Sequence, residues 1–383
     1  MKLEHLQRVV SLINIDALFN LHKVRFSKME ILFRDIEVKE AIDRVNVFIN
    51  VEAIFNKFHN KYTEEALVVM TKEEIRAFHM SIISNVINLA AHYRLFFAKN
   101  KIRSNIVFYM NEFSKYGEQN NSIHVSDYRE KYVYSYTQNP NYELINGVMR
   151  SVLNAIEAIV DYLENIYFVS SDRIESSVIP LVMVEDKMLD GQLNFIVSTD
   201  PYDMQYVNKN FLVIAPMGDE SRVLTTKNVY EFFRAKGELK VDDELPSYLL
   251  PFILSTCGDK RRSLDKVKGT SFNSIYKGIK KLFNKLDIGD EEYVSFEELA
   301  IAIKEDPLNP SGNRKRVVKN YMCIDLDRQL SMVSPSQKTA IEQQLKDRFD
   351  SESLKMINKK HFQECPLQIV ELNQYHPKKR QLF

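Results

Sequence analysis

The chain has 383 residues, 45% of them apolar and 27% charged, with 52 basic and 52 acidic side chains. These are globular proportions, and they exclude a disordered, collagenous or coiled-coil protein. The charge balance leaves no whole-molecule attraction to nucleic acid or anionic lipid, so any such binding must come from a local patch. Length allows one or two domains. Cys257, Cys323 and Cys365 are too few and too scattered for a disulfide framework or a zinc site, and point to a reducing, cytoplasmic compartment. The opening MKLEHLQRVVSLINIDALFNLHK is broken by charges every few residues, unlike a signal peptide. No later apolar run approaches the roughly 20 residues that a bilayer needs, so no membrane partner is expected.

After a helical N-terminal extension over 1–44, five short runs rich in Val, Ile and Phe read as strands: Val45–Val51, Asn105–Met110, Asn165–Ser171, Asn194–Asp200 and Phe211–Pro216. Their hydrophobicity is continuous rather than alternating, which means burial on both faces and hence parallel pairing. Between the first two, Ile75, Phe78, Ile82, Val86, Leu89, Tyr93 and Phe97 step by three or four, an apolar helical stripe. Thr71 and Glu74 form a capping-box pattern at its start. Between the second and third runs, Leu144, Val148, Val152, Ile156, Ile159 and Leu163 mark another helix. Strand, helix, strand in alternation predicts an α/β layer fold with right-handed crossovers. After Pro216 the strand pattern stops. Asn228–Gly237, Pro246–Gly258, Ser271–Asp287, Phe296–Asp306, Arg314–Met332, Pro335–Phe349 and Leu354–Phe362 read as helices. Asp306–Gly312 looks like a linker, and the last eight residues like a loose tail.

Ligands of open parallel sheets collect at the carboxyl ends of the strands. The polar residues there are Asn50 and Glu52, then Asn111 and Glu112, then Asp172 and Glu175, then Asp200 and Asp203; Asp259 follows the helix that ends at Cys257. Carboxylates converging from several strand ends would suit Mg²⁺ or Mn²⁺, which prefer oxygen ligands. Each acid taken singly is equally a helix cap or a solvated loop residue, and Asp200 before Pro201 is a good N-cap. From Cys257 to Ile288 nine basic residues (Lys260, Arg261, Arg262, Lys266, Lys268, Lys277, Lys280, Lys281 and Lys285) face three acids (Asp259, Asp265 and Asp287), leaving +6 in a neutral chain. That is either an electrostatic footprint for phosphates or a solvated lysine-rich face. Tyr128, Arg129, Lys131, Tyr132, Tyr134 and Tyr136 mix rings with charge. They fit stacking on unpaired bases, or an ordinary edge strand or loop. His59, His79, His92, His124 and His361 form no metal-type pair.

The succession FIVSTDPYDMQYV, then GDKRRSLDKVKGTSFNSIYKGIKKLF some 55 residues on, resembles the flap endonuclease and 5′-3′ exonuclease family of the PIN-like superfamily. In that family the first segment is the fourth strand with its acids, and the second is a helix–three-turn–helix. RIESSVIPLV sits where the family has an acidic helix start, DYREKY at the entrance to a helical arch, and VFINVEAIF at the first strand. The resemblance spans about residues 45–290. It implies a mainly parallel sheet flanked by helices, divalent metal at the strand ends, and duplex or junction DNA gripped by the helix–three-turn–helix with a potassium ion beneath. Its departures are Asn50 and Asn111 for two strand Asp residues, and Ser176, Ser177 and Val178 after Glu175. Of the acids, Glu175, Asp200, Asp203 and Asp259 remain as catalytic and metal residues. Lys260, Arg261, Arg262, Lys266, Lys268, Lys277, Arg129 and Lys131 are the implied nucleic-acid contacts. The glycine-x-glycine turn reads Gly269-Thr270-Ser271, one glycine short.

Two metal ions need several anionic ligands to offset their repulsion. Four carboxylates suit at most one weakly held Mg²⁺ or Mn²⁺. The expected organisation is an extension over 1–44, a PIN-like core over 45–255, the helix–three-turn–helix over 256–295 and a helical extension over 296–383. The favoured reading is a nuclease-derived nucleic-acid-binding module. It would belong to a replication, transcription or virion assembly, in a host cytoplasm or virion if phage-encoded. Its rivals are a working metal-dependent 5′-nuclease and an interaction protein that binds no nucleic acid.

Overall fold

A computed structural model describes residues 42–51, 92–98, 101–111, 165–171, 173–217, 220–240, 246–286 and 313–346, together with residues 86, 89, 90, 153, 156, 157, 160, 294–296 and 299. Among the described residues six strands form one sheet: β1 (Arg44–Asn50), β2 (Arg103–Asn111), β3 (Ile166–Ser171), β4 (Leu193–Val197), β5 (Phe211–Met217) and β6 (Glu220–Leu224). Their order is β3-β2-β1-β4-β5-β6. β1 to β5 pair in parallel and β6 runs antiparallel to β5. Val45, Val47, Phe48 and Ile49 of β1 are all buried, as are Ile106 to Met110 of β2, so both sheet faces are covered as the apolar runs predict. The strand pattern does not stop at Pro216. β6 escapes the sequence reading because ESRVL is short and polar, although Gly218-Asp219 before it is a turn-type pair.

A row of asparagines pins the register. Asn46 faces Asn105 on one side and Asn194 on the other. Its amide donates to Asn194 Oδ1 at 2.8 Å and its carbonyl accepts from Asn105 Nδ2 at 2.8 Å. A one-residue slip would bury these amides against hydrocarbon at a cost of about 1–3 kcal/mol each. Gly191 lets Asn46 sit there, since a Cβ at that position would lie 2.4 Å from the amide.

Seven α-helices with both ends among the described residues follow β3: α1 (Ile179–Glu185), α2 (Tyr230–Ala235), α3 (Leu250–Cys257), α4 (Phe272–Leu286), α5 (Asn313–Ile324), α6 (Leu326–Ser331) and α7 (Pro335–Lys346). Phe296 and Leu299 of the helix expected over Phe296–Asp306 are helical as well, and the rest of it lies outside the described residues. Of the two expected upstream helices, residues 92–98 are helical, with Tyr93, Phe96 and Phe97 buried. Ile156 and Val160 are helical and buried as well. The Thr71–Glu74 cap, the stripe positions Ile75, Phe78, Ile82, Leu144, Val148, Val152, Ile159 and Leu163, and Leu354–Phe362 lie outside the described residues.

The single helix expected over Arg314–Met332 is two. Asp325 ends α5 and caps α6, its carboxylate accepting from Arg328 N at 2.9 Å. α4 starts at a reciprocal cap in which Ser271 N donates to Ser274 Oγ at 2.8 Å and Ser274 N to Ser271 Oγ at 3.2 Å. It buries Phe272, Ile275, Tyr276, Ile279 and Phe283, with Phe272 stacked on Phe233 at 4.1 Å.

The C-terminal helices are fastened to the α/β layer. One hydrophobic cluster runs from Phe48 through Ile253 and Ile324 to Ile341. Asn320 of α5 donates to the carbonyls of Ser255 at 2.7 Å and Asp265 at 2.9 Å. Gln344 of α7 pairs with both backbone groups of Ser170, N–H at 2.9 Å and C=O at 3.0 Å, on the outer edge of β3. That covers a strand edge which would otherwise invite another chain.

Candidate functional site

The strand order reverses between β1 and β4, and a crevice opens at such a switch point. Asn50 and Asn111 end β1 and β2, and Glu175 and Asp200 follow β3 and β4, so the expected rim is formed. Glu52, Glu112 and Asp172 lie outside the described residues.

Asp200 caps the 3-10 segment Pro201–Asn208, accepting from Tyr202 N at 3.1 Å, and its own N–H donates to Ser198 Oγ at 3.0 Å. Asp203 lies deeper and is wholly buried, with Ser198 Oγ donating to it at 2.6 Å. Burial, and then the nearby Asp200 charge, push its carboxyl up to about 7, against the lowering influence of Ser177, Ser198 and Arg262. Glu175 is buried at the start of the 3-10 turn Ser176–Val178.

Asn111 has become a bracket. Its amide donates to Ile174 O at 2.7 Å, and its carbonyl accepts from Ser176 N at 3.0 Å. It therefore clamps the backbone on both sides of Glu175. An aspartate could make the second bond but not the first.

The segment between α3 and α4 also reaches this site. Gly258 has φ +67 and ψ 173, a conformation essentially confined to glycine, and a Cβ there would lie 2.5 Å from Lys266 N. Asp259 and Leu264 then exchange backbone hydrogen bonds at 3.0 and 2.9 Å, closing a tight loop. The loop turns Arg262 inward, leaving it 2% exposed.

The Arg262 guanidinium meets three carboxylates. Nη2 is 3.3 Å from Glu175 Oε1 and 3.2 Å from Asp200 Oδ2, and Nη1 bonds Asp259 Oδ2. Its Cζ lies over the Tyr202 ring, 4.2 Å from the centroid. Arg262, expected on the outside as a phosphate contact, is thus the internal counter-ion of three expected metal ligands. Asp259, three residues before it, is the one sequence cue to that partnership.

Lys260, Lys266, Lys268 and Lys277 are exposed, as the phosphate-contact reading requires. Arg129, Lys131 and the Arg261 side chain lie outside the described residues. An open cleft of about 580 Å³ runs beside the loop, lined by Tyr202, Lys240, Asp259, Lys260, Lys266 and Phe272, among others. Lys240 carries no motif that marks it in the sequence, and Tyr202 lies inside FIVSTDPYDMQYV with nothing there to mark its role. Burial pushes the Cys257 and Cys323 thiols up to about 12, so neither is a thiolate at neutral pH.

The sequence resemblance implies Mg²⁺ or Mn²⁺ at the strand ends. The arrangement does not fit one: Arg262 sits among Glu175, Asp200 and Asp259, and the Asn111 carbonyl is engaged by Ser176 N. Among the described residues no group of three or more His, Cys, Asp or Glu side chains could hold a metal ion. Nor is any helix among them long and apolar enough to cross a membrane.

No family model matches the chain, and no curated protein matches it in sequence. Solved structures do match. A bacteriophage T5 5′-exonuclease with divalent metal ions (zinc) bound aligns with TM-score 0.51 and 12% identity, over 79% of this chain and 98% of that one. A T5 protein co-crystallised with metal ions aligns with TM-score 0.50 and 12% identity, over 82% and 99%. The six-stranded, mostly parallel sheet flanked by helices is therefore the fold of the T5 5′-exonuclease structure. At this identity the likeness is one of fold.

Proposed function

We propose that the chain is a nucleic-acid-binding module derived from a metal-dependent 5′-nuclease, with its metal site depleted. The carrying observation is the row of exposed lysines, Lys260, Lys266 and Lys268, on the loop beside the strand-end cleft. In this reading duplex or junction DNA lies along the segment 256–295. Its phosphates meet these lysines and Lys277, and Lys240 extends the contact across the cleft. Charge provides most of non-specific affinity, so binding is sequence-tolerant and salt-sensitive. The extensions at either end serve a protein assembly.

The test is fluorescence anisotropy on labelled duplex DNA across a salt series, with EDTA present. Wild type should bind at low salt with a steep log–log dependence. Reversing Lys260, Lys266 and Lys268 to Glu should weaken binding by orders of magnitude and remove about 0.9 from the slope for each phosphate no longer engaged. A wild type that binds no duplex at low salt would overturn the reading and favour the interaction protein.

A further inference from the structure

In a metal-dependent site at strand ends, the cation has two jobs. It does chemistry, and it holds like-charged side chains from distant parts of the chain together. Here Glu175 comes from the turn after β3, Asp200 from the turn after β4, and Asp259 from the loop after α3. Three carboxylates so close would repel one another without a cation. The cation present is a side chain of the chain itself, 2% exposed and in contact with all three. The loop that carries it is shaped to deliver it: Gly258 takes a backbone conformation open only to glycine, and Ser263 turns back at φ 56. The planar fork lets one guanidinium reach three acceptors while its Cζ lies over the Tyr202 ring. A point-charge ammonium could not span them in the same way.

We propose that Arg262 is a tethered replacement for the divalent metal, fastening the basic loop 258–271 to the strand ends, and that it masks a latent cation site formed by Glu175, Asp200 and Asp259. This rests on reading those acids as the remnant of a metal site, but not on the chain's binding nucleic acid. Three consequences follow from the geometry. The loop's position is independent of added metal. Removing the guanidinium takes one shared cation away from all three carboxylates. A divalent ion can then enter and compensate them.

The test is thermal unfolding of the full chain followed by circular dichroism, in EDTA and in millimolar MnCl₂, without nucleic acid. Wild type should unfold at the same temperature in both. Arg262→Ala should unfold at least about 5 °C lower in EDTA, because breaking a buried ion pair from one side is strongly destabilising. Mn²⁺ should recover part of that loss, since a ligand that binds only the folded state raises its stability by mass action. Arg262→Lys, which keeps the charge but loses the fork, should fall between wild type and alanine in EDTA. If Arg262→Ala does not accumulate as folded protein, the lysine variant carries the same pair of measurements. A wild type that Mn²⁺ stabilises as much as the variant would overturn the proposal. So would an arginine variant that is as stable as wild type or indifferent to Mn²⁺. DNA binding plays no part in these readings, so failure here and failure of the proposed function are separate results.

Discussion

Asp203 keeps its proton well above the pH at which an exposed carboxyl loses it, because burial and the neighbouring Asp200 both penalise the charge. The folded carboxyl titrates at about 7, whereas in the unfolded chain it does so near 3.8. Below both values the acid is neutral in either state and folding stability is unaffected. As pH rises from about 4 towards 7, the unfolded chain releases a proton that the folded chain retains. Folding stability therefore falls, by up to about 1.4 kcal/mol per pH unit. An amide in place of this carboxyl resembles the neutral acid in shape and can still accept from Ser198 Oγ. Asp203→Asn should therefore gain stability relative to wild type between pH 5 and pH 8, measured by urea unfolding at both. An unchanged difference would mean that Asp203 is already ionised in the fold. At this scale the sequence located the acids but not their states. The burial of Asp203 emerges only once the sheet and its helices close around it. The Asn111 bracket reaches a carbonyl 63 positions away, and the inward Arg262 reaches a carboxylate 62 positions away, beyond the range of any local pattern.

The segment from α3 to α4 carries both the inward arginine and the outward lysines, so its seating decides what it presents. Part of that seating comes from α5. Asn320 fills the carbonyls of Ser255 at the end of α3 and Asp265 in the loop. Asn320→Ala leaves both without this donor, the Ser255 carbonyl in a buried place and the Asp265 carbonyl in a half-buried one. It should cost about 1–3 kcal/mol in chemical unfolding and weaken DNA binding more than that stability loss explains, because the loop loses a support. An effect below about 0.5 kcal/mol, the level of ordinary surface changes, would mean that α5 merely leans on the loop. The five parallel strands were legible because double-faced burial writes itself as unbroken apolar runs. Strand β6 was not, because an edge strand of five residues needs only a partner's backbone and carries little hydrophobic signature. The break at Asp325 was equally hidden, since the apolar periodicity continues across it; only the capping aspartate marks it.

For the whole molecule, the layer order and the position of the rim followed from the sequence. Right-handed crossovers and carboxyl-end sites leave few alternatives for such a strand pattern. The chemistry of the rim did not follow, because counting carboxylates says nothing about which cation answers them. The two solved T5 structures share the sheet and its flanking helices and hold metal ions. Here an arginine stands among the carboxylates instead. The central claim is that the chain kept a nucleic-acid grip and gave up metal-assisted hydrolysis. Its most direct test is a single-turnover assay of 5′-flap DNA in MnCl₂, reading bound and cleaved strands from the same samples. The account predicts a full shift of the substrate with no product above background. Robust cleavage that is abolished by Asp200→Ala with Asp203→Ala would contradict it and make the chain a working nuclease.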